Sequence, residues 1–270
     1  MKKVFLILSL LVFSASSFAK DISAYLVGSH VGVDSVKNSL SSAGFEVIAE
    51  YSPVENGTTI VFTNAALKAE GAKEKRAHAA VLRVFVDDQE KMISITNPVY
   101  FGRAFMQDDY DATVFEAQLA SLNGAFSDLN GSVDILDEDD IAGFHFMMGM
   151  PYYEDPDELA EGSNDELLEK LKAYNGGSNI IFTLKLSDKS TLVGYEIGEE
   201  TKGFIKDIGR ANAAVLPYSI SIEDGVATAL AAKYYLAVSY PLLSMGEFMT
   251  ISSVPGEILD DLEKPFKKEE

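Results

Sequence analysis

Apolar residues in this chain follow two rhythms that take turns: alternation over short runs, and stripes spaced three and four apart. The first marks half-buried strands and the second marks one face of a helix. Residues 24–28 (AYLVG) predict a strand. A helix follows, with Asp34 near its start, Val33, Val36, Leu40 and Ala43 on one face, and Gly44 as its stop. Residues 45–51 alternate, Asn56-Gly57 is a turn signal, and 59–63 return as a second strand. The Ala- and Lys-rich stretch 65–75 predicts a short helix. Strands at 80–87 and 92–96 flank the charged turn Asp88-Gln89-Glu90, and Asn97-Pro98 closes the pair because proline cannot donate to a ladder. Residues 112–129 predict a helix with Val114, Phe115, Leu119, Leu122 and Phe126 on one stripe.

The order then returns. Residues 144–148 predict the first strand of a second set, and Ser163 with Glu166 forms a potential capping box at the start of a helix. Leu167, Leu168 and Leu171 form its buried face, and Gly176-Gly177 ends it. Strands are predicted at 180–186, 192–197, 215–222 and 226–232, with a short helix at 202–208 and a last helix beginning at 257–262. The segment Arg76-Ala77-His78-Ala79-Ala80-Val81-Leu82 recurs as Arg210-Ala211-Asn212-Ala213-Ala214-Val215-Leu216, with one substitution, His78 against Asn212. The expected fold is α+β: two tandem two-layer domains, each strand-helix-strand-strand-helix-strand-strand-helix. The expected boundaries are 20–130 and 142–266, joined by an acidic linker at 131–141, with a disordered tail at 267–270. The acidic stretch 153–162, with Pro156, reads as an insertion between the first strand and first helix of the second set.

The N-terminus changes the picture of location. Lys2 and Lys3 precede an apolar run from 4 to 13, and Ser17-Phe18-Ala19 offers small residues at the positions a signal peptidase reads. Residues 1–19 are therefore expected to be a signal peptide cleaved after Ala19, delivering a soluble protein to the periplasm or beyond. The rest of the chain has no apolar run long enough to span a bilayer, so no integral membrane segment is expected. With no cysteine, neither disulfides nor thiol catalysis nor thiolate metal sites are open to it. The net charge of −20 repels nucleic acid and anionic membranes, which leaves a small-molecule ligand or a periplasmic protein as expected partner.

Candidate chemistry is sparse. His145-Phe146-Met147-Met148-Gly149-Met150 combines imidazole and thioether groups, ligands suited to Cu(I). His145, Met147 and Met150 are the candidate metal residues, with methionine as flexible core filler the alternative. On a strand, His145 and Met147 would share one face and Met150 the other. His30 precedes a predicted helix N-terminus, where exposed amides and a protonated ring could hold an anion. Arg76 and Arg210 could clasp a ligand carboxylate bidentately or pair with acids of the chain itself. At His78, Asn212 can fill the same hydrogen-bonding space, which points to a structural role. The acidic runs 108–111 and 137–140 lack the spacing of a calcium hand. The readings that remain are a non-catalytic binding or accessory module with its ligand between the units, a copper-binding protein, and an enzyme using His30 or His145 as base.

The stretch 59–105 holds an IVFTN strand, an AAVLRVFVDD strand and MISITNPVYFGRAF, and Asn64, Leu82, Asn97, Pro98 and Tyr100 stand out in it. It resembles the widespread bacterial domain of unknown function 302. The second set keeps the layout but has Ala232-Lys233-Tyr234-Tyr235 in place of the Asn-Pro, and so resembles a diverged copy. The resemblance implies a two-layer α+β fold and no particular activity. Some members of that family carry a cysteine where this chain has none, so no cysteine-dependent role is implied.

Overall fold

The computed structural model describes residues 20–267; the expected signal peptide and positions 268–270 of the expected tail lie outside the described residues. The elements in chain order begin with β1 (Asp21–Ser23), β2 (Tyr25–Ser29), α1 (Val33–Ser42), β3 (Glu46–Val54), β4 (Gly57–Thr63) and α2 (Ala65–Gly71). Then come β5 (Leu82–Asp87), β6 (Met92–Thr96), α3 (Pro98–Met106), α4 (Ala112–Ala125), β7 (Asn130–Gly131) and β8 (Ile135–Asp137). The second half holds β9 (Asp157–Glu161), α5 (Asn164–Ala173), β10 (Ile180–Lys185), β11 (Ser190–Tyr195) and α6 (Phe204–Ile208). It finishes with β12 (Tyr218–Glu223), β13 (Val226–Ala229), α7 (Ala232–Ser239), α8 (Met245–Thr250) and α9 (Val254–Glu263). The fold is α+β, and every strand pairing is antiparallel. None of the described helices is long and apolar enough to cross a membrane.

The first large sheet runs β3-β4-β5-β6-β2-β7 and the second runs β10-β11-β12-β13-β9. Taken from the start of each half, the first five strands of the two sheets stand in the same order. Three sequence expectations are corrected here. The first strand of the second sheet is β9, inside the stretch read as an insertion, whereas 144–148 is an irregular loop. The Asn-Pro at 97–98 does not merely end a strand: Asn97 accepts from the Val99 amide and caps α3, with Pro98 in its first turn. Helix α7 occupies the matching place in the second half, where a strand was expected to run on to 232. The expected linker 131–141 is tied down at both ends, with Gly131 paired to β2 and β8 paired to β1.

The halves share one hydrophobic core. A single cluster of buried side chains runs from Ile22 through Phe85, Tyr100, Tyr218 and Tyr235 to Leu262. The recurring seven-residue segment lies at the seam. Residues 77–80 form a 3-10 turn that packs against β11 and β12, and 210–215 form another against β5 and β6. Close approach explains Gly71, where a Cβ would lie only 2.4 Å from the Ala80 Cβ.

Two hydrogen bonds cross the seam reciprocally. The Tyr100 hydroxyl on α3 donates to the Val238 carbonyl on α7 at 2.9 Å, and the Tyr234 hydroxyl on α7 donates to the Ala104 carbonyl on α3 at 3.1 Å. All four positions map onto one another under the spacing of the recurring segment, as a local two-fold axis requires. Tyr100→Phe is expected to cost about 1–2 kcal/mol, because it leaves the Val238 carbonyl short of a donor, and Tyr234→Phe less, because the Ala104 carbonyl also accepts from the Gln107 side-chain amide at 2.6 Å. Urea denaturation of the two single variants and the double variant checks this, with the double costing close to the sum.

Candidate functional site

A cleft of about 290 Å³ opens between residues 74–78 of the first half and the β12–β13 hairpin of the second. Residues 153–156 form its third wall. Ala77, Val226, Leu230 and Pro156 supply apolar surface, Ser221 and Thr228 add hydroxyls, and Glu74, Glu154, Glu223 and Asp224 line it with carboxylates. The volume is at the small end for ligand pockets, and the mixture of apolar wall with a few polar groups is typical of them.

His78 lies in its wall. The 3-10 turn buries the ring to 9% exposure, edge-on to Phe105 at 6.2 Å between centroids, and no hydrogen bond reaches it from any described residue. Burial, with the Arg83 guanidinium nearby, pulls its pKa down to about 3, so the ring is neutral at physiological pH. A neutral imidazole offers one donor and one acceptor to whatever enters.

Lys75 fixes the mouth. Its φ of +60° places it in the left-handed region, which costs a side-chain-bearing residue energy. Both its main-chain groups are held from across the cleft: the amide donates to Glu223 Oε2 at 3.0 Å, and the carbonyl accepts from the Tyr153 hydroxyl at 2.6 Å. Glu223 is a half-buried carboxylate with no cationic side chain in ion-pair range among the described residues. Burial raises its pKa, the Lys75 amide and ammonium partly offset that, and Asp224 and Glu74 raise it further.

The residues singled out from sequence sit around this cleft or away from it. Arg76 lies behind Tyr153, 5.6 Å from the ring centroid, and is engaged by Asp109 at 3.0 Å and Glu154 at 3.1 Å. Arg210 grips both oxygens of Asp87 at 2.8 and 2.9 Å. Both arginines therefore serve internal acids, the alternative that their sequence context left open. His30 lies outside the cleft and is bound to Asp88 at 2.7 Å.

His145 is in an irregular loop, not on a strand, so the face-sharing expected of it and Met147 does not hold. Its ring lies 4.3 Å from that of Tyr152, Met147 is 42% exposed, and Met150 packs on the core. No group of three or more His, Cys, Asp and Glu side chains among the described residues is placed to hold a metal ion.

Sequence reasoning gave His78 a structural part, yet it lines the cleft. The available signal was its being the single difference in an otherwise perfect repeat. Asn212, its counterpart, instead donates to the Ser239 carbonyl at 2.9 Å and borders a wide polar groove with Ser94, Asp128 and Asp134. No family model, curated protein or solved structure matches the chain.

Proposed function

We propose that this protein is a non-catalytic binding module whose ligand enters the cleft between the two halves. The observation that carries the reading is His78: a buried, neutral, unpartnered ring in the wall of a mostly apolar cavity. The ligand class that suits the cleft has an apolar body, a hydrogen-bonding group for His78 and a cationic end for Glu223. Lys75 is the nearest cation to act on that carboxylate but lies outside ion-pair range, which leaves an ammonium group as its natural partner.

The test is a titration of the intact chain with benzylamine, benzyl alcohol and benzoate, followed by amide NMR shifts. Benzylamine is expected to shift the amides of 74–78 and 221–228. Glu223→Gln is expected to weaken it roughly tenfold, equivalent to about 1.4 kcal/mol. Silence of those amides toward all three compounds overturns the reading.

The same chain is proposed to be exported to the periplasm with cleavage after Ala19, supported by its basic start and apolar run. Sequencing the N-terminus of protein taken from a periplasmic extract tests that. We also read the halves as diverged copies of one unit, on the recurring segment, the shared strand order and the reciprocal tyrosines.

One contact favours Cu(I) binding as a second reading. Phe146 packs on Phe248 at 5.0 Å, which brings the loop of Met147 and Met148 beside α8 with its exposed Met245 and Met249. A Cu(I) titration unaltered by replacing those four methionines with leucine removes it.

A further inference from the structure

Among the described residues, eight large apolar side chains are left in water, and six of them sit in two segments of the second half. Met147, Met148 and Tyr152 belong to the loop before β9, with Met148 95% exposed. Leu242, Met245 and Met249 belong to α8 and the turn before it, with Met249 61% exposed. The ring contact of Phe146 with Phe248, 5.0 Å between centroids, fastens the loop to the helix and brings the two groups together. A lone exposed apolar residue is ordinary, but a cluster of them marks a contact surface.

Four of the six are methionines. A thioether chain is unbranched and polarisable, so it moulds itself to a partner without a preformed pocket. Met245 and Met249 stand one turn apart on α8 and form a ridge of the kind that packs into a groove of another helix. Charge narrows the choice of partner. Residues 141–158 and 240–263 contain no lysine or arginine, while Asp155 and Glu247 are exposed beside the apolar side chains. The neighbouring α6 packs against α8 and adds exposed Lys206 and Asp207, whose charges offset each other. A second copy of the chain would set the same carboxylates face to face, and an anionic membrane would be repelled by them.

We propose that this surface docks an amphipathic helix of a partner protein, its apolar stripe against the four methionines and its lysines or arginines toward Asp155 and Glu247. The apolar contact supplies most of the affinity, and the carboxylates favour basic partners over acidic ones. Neither a ligand in the cleft nor Cu(I) takes part in this contact.

The test is a titration of the intact chain, kept free of copper by a chelator, with a helical peptide of leucine and lysine whose leucines fall on one face. Saturable binding that shifts the amides of 144–152 and 242–250 is the expected result. The same peptide with glutamate in place of lysine is expected not to bind. A scrambled leucine–lysine peptide, equal in charge but without an apolar face, is expected to bind roughly tenfold more weakly or worse. The amphipathic peptide should lose a similar factor on a chain carrying Met245→Ser and Met249→Ser, two exposed positions whose replacement leaves the melting temperature near that of wild type. Equal binding by the scrambled peptide, binding untouched by the two substitutions, or shifts spread over the rest of the acidic surface overturns the proposal. A dimer in sedimentation that the same substitutions abolish would seat a second copy there, and flotation with neutral phospholipid vesicles would seat a membrane; either result also overturns it.

Discussion

Replacing Arg210 by methionine is expected to lower the stability of the folded chain by about 3–5 kcal/mol at neutral pH, the usual cost of stripping a buried charge of its partner. Asp87 is that charge. Its side chain is fully buried, and Arg210 holds both its oxygens while the Gln89 and Glu90 amides donate to one of them. Burial alone would raise the Asp87 pKa, but Arg210 and the two amides together hold it below the ordinary carboxylate value. A depressed carboxylate contributes stability above the unfolded pKa, and that contribution is lost as pH falls through the folded value. Without Arg210 the carboxyl can take up a proton, so the penalty should shrink on acidification toward about pH 4. Urea denaturation of wild type and variant at pH 7 and pH 4.5 tests this, and Asp87→Asn added to the variant should recover much of the loss. Arg76→Met is the internal control. Its partners Asp109 and Glu154 are half exposed, so about 1 kcal/mol is expected.

The second large effect is an acid sensitivity that centres on the His78 ring. His78 titrates near 3 when folded, against about 6.5 when unfolded. The unfolded chain therefore binds more protons between those values, and stability must fall as pH drops through that window. Between pH 7.5 and pH 5 the loss is expected to be about 2 kcal/mol. The carboxylates of Asp134, Asp157 and Glu223, which burial raises, act with the opposite sign, and the only other histidines, His30 and His145, are partly exposed. His78→Phe keeps a ring beside Phe105 and carries no proton. It should flatten the profile over that range, and a slope unchanged from wild type would show that another group is responsible.

Much of the scaffold was legible because most of its elements alternate or stripe cleanly. Residues 45–51 alternate, 59–63 return after the Asn56-Gly57 turn, 92–96 pair as expected, and the Ser163–Glu166 capping box is formed as its spacing foretold. The errors have physical causes. Residues 144–148 are largely apolar yet form no strand, since Phe144 and Phe146 reach the core and α8 from a loop while Met147 and Met148 stay exposed. Residues 157–161 (DELAE) are acidic yet form a strand, because an edge strand needs only one ladder partner and keeps its polar side chains in water. Helix α7 was missed because Tyr234, Tyr235 and Val238 are β-prone in isolation, and seam packing overrides that propensity. The cleft could not be read at all, because its walls come from segments some 150 residues apart.

That acidic edge strand has a bearing on how the protein behaves at high concentration. An uncovered strand edge offers free amides and carbonyls to the edge of another molecule, the first step of sheet-mediated aggregation. Here β9 puts Asp157, Glu158 and Glu161 along that border. Glu158 and Glu161 are the exposed pair, so two copies approaching edge to edge bring four negative charges together, and the strand acts as its own gatekeeper while those acids are ionised.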